Sequence, residues 1–461
     1  MPNQTARLEE LTPLDVPLLR TEIPGPSSKE QWAREIKHSS PGLSALASLS
    51  QLVLSRGFGG LVQDVDGNVL IDFAFAMIGV STGHRHPKVQ KALEDELNNF
   101  IHTYDMASPA RVQFFELLAE VLPEQLQMYQ MYSGGTETVE AGMRLAKSYT
   151  KQYEFIGLYK SFHGKSAGAM GLMGIAYKNG FGPRPPGYAL SPNAYCYRCP
   201  LGLEYPECGV ACADMMQEVY DNETTGEVAA VVVEPIQGAG GIIVPPPEFL
   251  PKVEEFCRRN GLLLFVDEIF TGGGRTGKMW SWEHFNIKPD IVALGKGIGS
   301  GYPLGVVASS KEIMADFPWA QPAGGSTTFG GNNLAARAGH ITLQTILEEN
   351  LVEQAAEVGD LMLARLREMQ DRHRIIGDVR GKGLVIGVEF VRDPITKELI
   401  STTHAEYLFK ACLRRGLLLA TATPNLRIMP SMVIGKQLAI KGLDLLDESI
   451  SELEETMNLE A

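Results

Sequence analysis

The chain has 461 residues, 44% of them hydrophobic, and its 41 basic and 55 acidic side chains give a formal charge of −14. The length exceeds that of one ordinary domain, and the negative charge argues against non-specific binding to nucleic acid. The longest apolar runs, such as residues 228–233, are too short to cross a bilayer, and residues 1–20 lack the basic start and apolar core of a signal peptide. We therefore expect a cytoplasmic protein without a membrane segment.

The first half of the chain combines an irregular N-terminus with a long α/β pattern. Residues 1–40 are rich in proline, serine and charge, which predicts an arm, with order beginning near Leu61. Residues 61–73 alternate around an Asp-Gly-Asn turn, which is the pattern of a β-hairpin. From there to about Gly339, apolar strand-like runs alternate with amphipathic helical patterns and glycine-rich connections. This alternation predicts a mostly parallel sheet flanked by helices.

The pattern changes in the last third of the chain. A long helix is predicted after Ala335 through Ile346, followed by α and β segments over residues 351–369, 383–391, 404–415 and 417–420 and by a closing helix. We predict three parts: residues 1–75 as an arm and part of a small domain, residues 76–340 as a large domain, and residues 341–461 as the rest of the small α+β domain.

A candidate phosphate site lies where an apolar run leads into a helical pattern over residues 131–140. Gly134, Gly135 and the hydroxyl of Thr136 fall where the helix would begin. Free amides at a helix N-terminus, beside glycines that allow close approach, suit a dianion. Taken alone, the motif is better explained by an ordinary helix N-cap.

Two apolar strand-like runs are each followed by a carboxylate. Residues 228–233 precede Glu234, and residues 262–266 precede Asp267. Ligands of parallel sheets bind beyond the carboxyl ends of the strands, so a charge that closes an apolar run indicates a site. Asp267 suits a protonated ring nitrogen, whose positive charge a carboxylate would hold in place.

Lys296 stands alone between the apolar residues 291–295 and the glycine-rich residues 297–305. An apolar setting disfavours the charged ammonium, which favours a nucleophilic amine of the Schiff-base type. The glycines let a flat cofactor lie close to the backbone. Phe162, in a Phe-His-Gly-Lys motif, is able to stack on a planar ring, although a single phenylalanine is more often part of a core.

Two further motifs have competing interpretations. Residues 272–278 have the spacing of a P-loop, but Met279 stands where a hydroxyl must meet magnesium and no convincing helix follows, so we reject an ATPase. A C-x2-C-x8-C-x3-C spacing fits either a small zinc knuckle or plain reduced cysteines in a loop. It is formed by Cys196, Cys199, Cys208 and Cys212. We assign no metal ligand.

The order of these motifs resembles the class III (ω-type) aminotransferases, which use pyridoxal 5′-phosphate (PLP) on the fold type I scaffold. The resemblance runs from about Leu61 to Ile434, and the ordered set is more specific than any one motif. It implies an α/β fold of type I. A large PLP-binding domain with a mainly parallel sheet is joined there by a smaller α+β domain from the N- and C-terminal segments.

The resemblance also implies a role for each matching residue. Lys296 matches the lysine that binds PLP and moves the substrate proton, and Asp267 matches the aspartate on the pyridine nitrogen. Arg427 matches the arginine that binds the α-carboxylate of the keto acid. Glu234 matches the glutamate that neutralises this arginine when an amine lacking that carboxylate occupies the site. Further cofactor contacts are implied for Gly134, Gly135 and Thr136 at the phosphate, for Phe162, His163 and Ile269 at the ring, and for Thr328 at the phosphate of a neighbouring subunit. A homodimer with shared active sites is therefore expected.

Departures from the family pattern bear on the substrate. Phe270 stands where the family usually has a glutamine near the cofactor, so that hydrogen bond must be lost or replaced. Phe75 and Met77 occupy a stretch beside the substrate that is commonly glycine-glycine-isoleucine, and they should make the entrance more apolar or narrower. Lys165 replaces the arginine of the 4-aminobutyrate and acetylornithine enzymes, which favours a donor without a distal carboxylate.

The leading hypothesis is an aminotransferase that moves an amino group between a primary amine and an α-keto acid by a ping-pong mechanism. The amine would be an ω-amine, a polyamine or an amino sugar, and the keto acid 2-oxoglutarate or pyruvate. One alternative is a 4-aminobutyrate or ω-amino-acid aminotransferase. Another is a PLP-dependent epimerase or racemase, because residues 195–200 also resemble a branch that contains epimerases and dialkylglycine decarboxylases.

Overall fold

The structure is a computed structural model that describes residues 7–421 and 423–460, with the side chains of residues 75, 76 and 458–460 outside that description. Across this part of the chain, every helix is too short or too polar to cross a membrane.

Fourteen α-helices are present among these residues, together with short 3₁₀ helices at Leu8–Glu10, Ala176–Lys178, Cys196–Arg198, Ser281–His284 and Lys296–Gly299. The α-helices are α1 Pro26–Glu35, α2 Ala45–Ser50, α3 Phe75–Ile78, α4 Pro87–Glu96, α5 Pro109–Val121, α6 Gly135–Thr150, α7 Ala167–Gly171, α8 Ala211–Glu223, α9 Phe249–Asn260, α10 Lys311–Met314, α11 Asn333–Glu348, α12 Leu351–Arg372, α13 Thr402–Arg414 and α14 Lys436–Glu460.

The strands of the same residues are β1 Leu54–Phe58, β2 Leu61–Asp64, β3 Val69–Asp72, β4 Met128–Tyr132, β5 Glu154–Leu158, β6 Tyr188–Ser191, β7 Val228–Val233, β8 Leu263–Asp267, β9 Ile291–Gly295, β10 Gly305–Ser309, β11 Ile376–Lys382, β12 Val385–Asp393, β13 Glu398–Leu399, β14 Leu417–Leu418 and β15 Asn425–Ile428.

The chain divides into two compact units. One runs up to Pro87 and resumes at Glu353, and the other is Lys88–Val352. The predicted domain boundaries after residues 75 and 340 stay a prediction.

A seven-stranded sheet with the order β4-β10-β9-β8-β7-β5-β6 forms the centre of the unit Lys88–Val352. Strands β9, β8, β7, β5 and β6 pair in parallel, and β10 pairs antiparallel with both β9 and β4. Every residue of β7, β8, β9 and β10 is buried. Continuous apolar strands are what a sheet covered on both faces requires.

Helix α6 packs against this sheet and begins where β4 ends. Its inner face buries Val139, Met143 and Ala146. Gly142 makes the close approach possible, because a Cβ there would collide with the ring of Phe265 on β8. The N-terminus of α6 is thereby fixed at the edge where the parallel strands end.

The other unit contains two smaller sheets. One has the order β1-β2-β3-β14, and in the other β12 pairs with β11, β13 and β15. The predicted hairpin over residues 61–73 is confirmed, since β2 and β3 pair antiparallel. Its turn is held by the carboxylate of Asp64, which accepts the N–H groups of Asp66 and Asn68 at 2.9 and 2.8 Å.

The expectation that order begins near Leu61 is wrong, because α1, α2 and β1 precede that residue. Helix α1 starts at Pro26, a residue that suits the first helical position. Its amides at Ser27 and Ser28 donate to the carboxylate of Asp66 at 2.7 and 2.8 Å. The helix is therefore capped by a residue about forty positions away, which local composition does not reveal.

Candidate active site

The candidate site lies at the carboxyl edge of the seven-stranded sheet and is built around Asp267, the last residue of β8. Asp267 is buried, its Oδ2 lies 2.8 Å from Nδ1 of His163, and its Oδ1 accepts the N–H of Ile269 at 3.0 Å. A carboxylate offers about four acceptor positions. Asp267 is thus held firmly and retains capacity to bind a cationic N–H group.

His163 follows β5 and is buried beside Asp267. Burial lowers the pKa of His163, but the hydrogen bond and the charge of Asp267 outweigh it and raise that pKa. Its other nitrogen, Nε2, is buried without a hydrogen-bond partner among the described residues. Buried polar atoms are rarely left unpaired, so this nitrogen indicates a ligand.

Glu234 directly follows β7 and holds the chain around Phe162. One carboxylate oxygen accepts the N–H of Phe162 and the other the N–H of Gly238, both at 2.9 Å. Burial raises the pKa of Glu234 to about 7, although the neighbouring His163 lowers it. The group therefore changes charge near neutral pH.

Lys296 directly follows β9 and has a backbone φ of +44°, in the left-handed region. A non-glycine residue there carries strain, which is typical of functional sites. Its Nζ lies 5.0 Å from the centroid of the Phe270 ring, within the range of a cation–π contact. Phe270 in turn lies on Gly238, where a Cβ would come within 2.6 Å of the ring. Phe270, which stands where the family usually has a glutamine, is therefore packed between Gly238 and the Lys296 amine.

The predicted phosphate loop forms the N-terminus of α6. Gly134 is the N-cap and no side chain caps the helix, so the first amides are available to an anion. A Cβ on Gly135 would lie 3.0 Å from Cγ2 of Ile269, so glycine keeps this seat open. Glu137 shapes the loop by accepting the Ser133 N–H at 3.0 Å and the Thr327 hydroxyl at 2.7 Å.

These groups fit a flat, phosphorylated cofactor. The uncapped α6 amides suit a phosphate, Asp267 suits a protonated ring nitrogen, and Lys296 suits an aldehyde. Contacts within Lys88–Val352, some of them through Gly164, Glu234, Gly238 and Phe270, connect most of the predicted cofactor residues: Gly135, Thr136, Phe162, His163, Asp267, Ile269 and Lys296.

The other predicted site residues belong to both units. Thr328 is exposed in the same unit, and Lys165 is exposed with its Nζ 5.1 Å from the centroid of the Tyr177 ring. Arg427 is buried on β15 and Met77 is exposed, both in the other unit. Phe75 lies in α3, and its side chain is outside the described residues.

Sequence reasoning missed two neighbours of the site. Tyr177 meets Phe162 edge-on with 6.1 Å between ring centroids, and it lies in the short 3₁₀ helix Ala176–Lys178, whose sequence pattern carries no signal. Glu268 is buried next to Asp267 and has its own set of hydrogen bonds. Its position after an apolar strand was a usable signal.

The four clustered cysteines line one cavity and are all free thiols. Burial and the neighbouring thiols raise the pKa of Cys212 to about 12. Within the residues that the structure describes, no group of three or more His, Cys, Asp or Glu side chains is arranged to hold a metal ion. The zinc-knuckle interpretation therefore gains no support.

Comparison with known proteins decides the family. The model of the class-III aminotransferases matches residues 45–450. The chain belongs to the class-III aminotransferases. The predicted family and enzyme class are confirmed, and so is fold type I, since solved transaminases share the fold.

Relatives of this class-III aminotransferase include enzymes of two kinds. The alanine/serine racemase of Pyrococcus horikoshii is 34% identical, covering 96% of this chain and 94% of its own. The 4-aminobutyrate aminotransferase of Mycobacterium tuberculosis is also 34% identical, covering 94% and 98%. A PLP-bound amine transaminase from an uncultivated Pseudomonas species is 27% identical with a TM-score of 0.85, covering 90% and 99%.

Proposed function

We propose that this aminotransferase binds PLP at the edge formed by β7, β8 and β9 and moves an amino group between a primary amine and an α-keto acid. The buried Asp267–His163 pair, with 2.8 Å between Oδ2 and Nδ1, carries the proposal. It supplies a fixed negative charge for a ring nitrogen. Lys296, directly after the next strand, and the uncapped start of α6 complete the set.

The chain's own residues divide the chemical work. When bound, PLP supplies an electron sink for the charge left on a substrate carbon that loses its proton. Asp267 keeps the proton on the ring nitrogen, and His163 orients Asp267. The amine of Lys296 takes the proton from the substrate carbon and then gives it to the carbon atom that must be protonated for the amino group to be transferred. The buried side chains of Ile269 and Phe270 exclude water beside that amine.

For the donor we propose a primary amine of the ω-amine, polyamine or amino-sugar type, with 2-oxoglutarate or pyruvate as the acceptor. The ammonium of Lys165 lies over the Tyr177 ring. This contact supports a donor site that does not use an arginine at this position to bind a distal carboxylate. The substrate roles of Arg427, Phe75 and Met77 remain predictions. So does the 4-aminobutyrate or ω-amino-acid alternative.

The active unit is proposed to be a homodimer in which Thr328 of one subunit binds the phosphate of the PLP in the other subunit. Support comes from a group of exposed apolar side chains near Thr328. Phe329, 63% exposed, has its ring centroid 5.4 Å from that of His102. Phe100, Ile101 and Met106 are also exposed, and the carbonyl of Ile101 accepts the N–H of Asn333 at 3.2 Å. Apolar surface of this kind marks an interface. Cytoplasmic location stays a prediction.

A second candidate is a PLP-dependent amino-acid racemase or epimerase. The observation in its favour is the racemase relative that covers 96% of this chain. A racemase moves the α-proton between the two faces of an amino acid and needs no keto acid. Both candidates use the same lysine, so they differ in their reactants and not in the residues described above.

The deciding experiment incubates the PLP-loaded protein with a panel of amines and amino acids, each with 2-oxoglutarate or pyruvate. With at least one primary amine, the keto acid should be consumed and its amino acid formed, and Lys296→Ala should show no turnover. The panel includes 4-aminobutyrate and diamines to separate donors with and without a distal carboxylate. Exchange of the α-proton for deuterium without consumption of any keto acid would contradict the proposal and favour the racemase.

A further inference from the structure

A second buried carboxylate, Glu268, follows Asp267 and takes no part in the steps above. Its Oε1 accepts the Ser281 hydroxyl at 2.6 Å and the Trp282 N–H at 2.9 Å, and its Oε2 accepts the Thr271 hydroxyl at 2.7 Å. The two hydroxyl oxygens lie 2.9 Å from each other. Both ends of the loop over residues 271–282 are therefore fastened to one side chain.

The backbone of Glu268 adds two more connections. Its N–H donates to the carbonyl of Ala293 on β9 at 2.9 Å, and its carbonyl accepts the N–H of Gly272 at 2.8 Å. Lys296 follows the same strand β9. Glu268 thus connects the end of β8, at Asp267, with the end of β9, just before Lys296.

The two residues after Glu268 form the apolar floor of the site. Ile269 lies against Gly135 at the start of α6 and against Gly295, and the Phe270 ring lies 5.0 Å from Nζ of Lys296. Apolar side chains have no directional bonds of their own, so the chain on either side sets their position. On one side of this pair is Glu268, and on the other is the loop that Glu268 fastens.

We propose that Glu268 is a positioning residue, whose carboxylate holds the loop over residues 271–282 so that Ile269 and Phe270 fix the PLP ring and the Lys296 amine. The inference rests on the proposed function, since it concerns the same site. It assigns to Glu268 no contact with PLP or substrate.

Hydrogen bonding, and not charge, is the basis of this role. Burial raises the pKa of Glu268 to about 7, against the lowering effect of its hydrogen-bond donors, so the carboxyl occurs in both forms near neutral pH. A glutamine preserves the arrangement. Its oxygen accepts from Ser281 and Trp282, and its NH2 group donates to the Thr271 hydroxyl, which accepts as well as donates. An alanine removes all three bonds.

The test compares wild type, Glu268→Gln and Glu268→Ala by PLP titration and by the pH midpoint of the absorption of bound PLP. Glu268→Ala should weaken PLP binding at least about tenfold and shift the midpoint, because several buried donors lose their partner. Glu268→Gln should stay within about twofold of wild type in affinity and keep its midpoint.

Asp290→Ala is the matched control. Asp290 accepts the Leu264 N–H at 2.7 Å and an Arg258 N–H at 2.6 Å near the start of β8. The variant loses comparable bonds, so its thermal stability should fall while its PLP midpoint stays at the wild-type value.

Three results overturn the inference: wild-type affinity and midpoint in Glu268→Ala, the same defect in Glu268→Gln as in Glu268→Ala, or the same midpoint shift in Asp290→Ala. If Glu268→Ala does not fold, Thr271→Val and Ser281→Ala decide, and an unchanged midpoint in both overturns it. A wild type that binds no PLP contradicts the proposed function together with this inference. A wild type that binds PLP beside an unchanged Glu268→Ala contradicts only the inference.

Discussion

Replacing Glu234 with glutamine should change how the stability of the protein depends on pH. Burial raises the pKa of Glu234 from its ordinary value of 4.5 to about 7, so the folded state holds its proton to higher pH than the unfolded state does. The contribution of Glu234 to the free energy of unfolding is therefore fully present below pH 4.5 and is lost as the pH rises through 7. At about 1.4 kcal/mol per pKa unit, the loss amounts to about 3 kcal/mol.

Glutamine removes this loss because it stays neutral at every pH. It also loses one of the two backbone bonds, since its NH2 group cannot accept from either Phe162 or Gly238. That loss costs about 1–3 kcal/mol. Glu234→Gln should therefore be less stable than wild type near pH 4, and the gap should narrow by about 3 kcal/mol by pH 8.5.

Urea unfolding at a series of pH values measures both proteins, at one protein concentration and without added PLP. The quantity compared is the difference between their free energies of unfolding. A difference that stays constant with pH, or that widens as the pH rises, would show that Glu234 is not a buried carboxyl with a raised pKa.

Two further predictions concern other parts of the chain. His373 lies 2.6 Å from Asp447 and 2.9 Å from Glu454, and hydrogen bonds raise its pKa, while the pKa values of both partly buried acids are lowered. The cluster should contribute most to stability between about pH 4.5 and 6.5, above the pKa values of the unfolded acids and below that of the unfolded histidine. His373→Gln should therefore lower the melting temperature most inside that window, and a melting temperature that falls equally at every pH contradicts this. Phe329→Glu should raise the dimer dissociation constant at least about 30-fold in sedimentation, whereas the similarly exposed Phe181→Glu should not; an unchanged constant for Phe329→Glu refutes the interface.

Much of the site could be predicted because parallel strands place their ends together. An apolar run followed by Glu234, Asp267 or Lys296 is visible in the sequence, and the sheet brings the three positions to one edge. The hairpin over residues 61–73 was equally visible, because its Asp-Gly-Asn turn is local.

Contacts between distant segments could not be predicted in this way. His163 and Asp267 are 104 positions apart, and only the sheet order brings them together. The cap that Asp66 gives to α1 depends on the packing of the arm on the hairpin. Phe270 was recognised as a departure from the family, but its place beneath the lysine depends on its packing against a glycine of another loop.

If Lys296 is the residue that binds PLP, chemical reduction should attach the cofactor to it permanently. The PLP-loaded protein is reduced with borohydride, digested and analysed by peptide mass spectrometry. A phosphopyridoxyl group is expected on Lys296 alone, and no label is expected in Lys296→Ala. A label on another lysine, or none in the wild type, would contradict this.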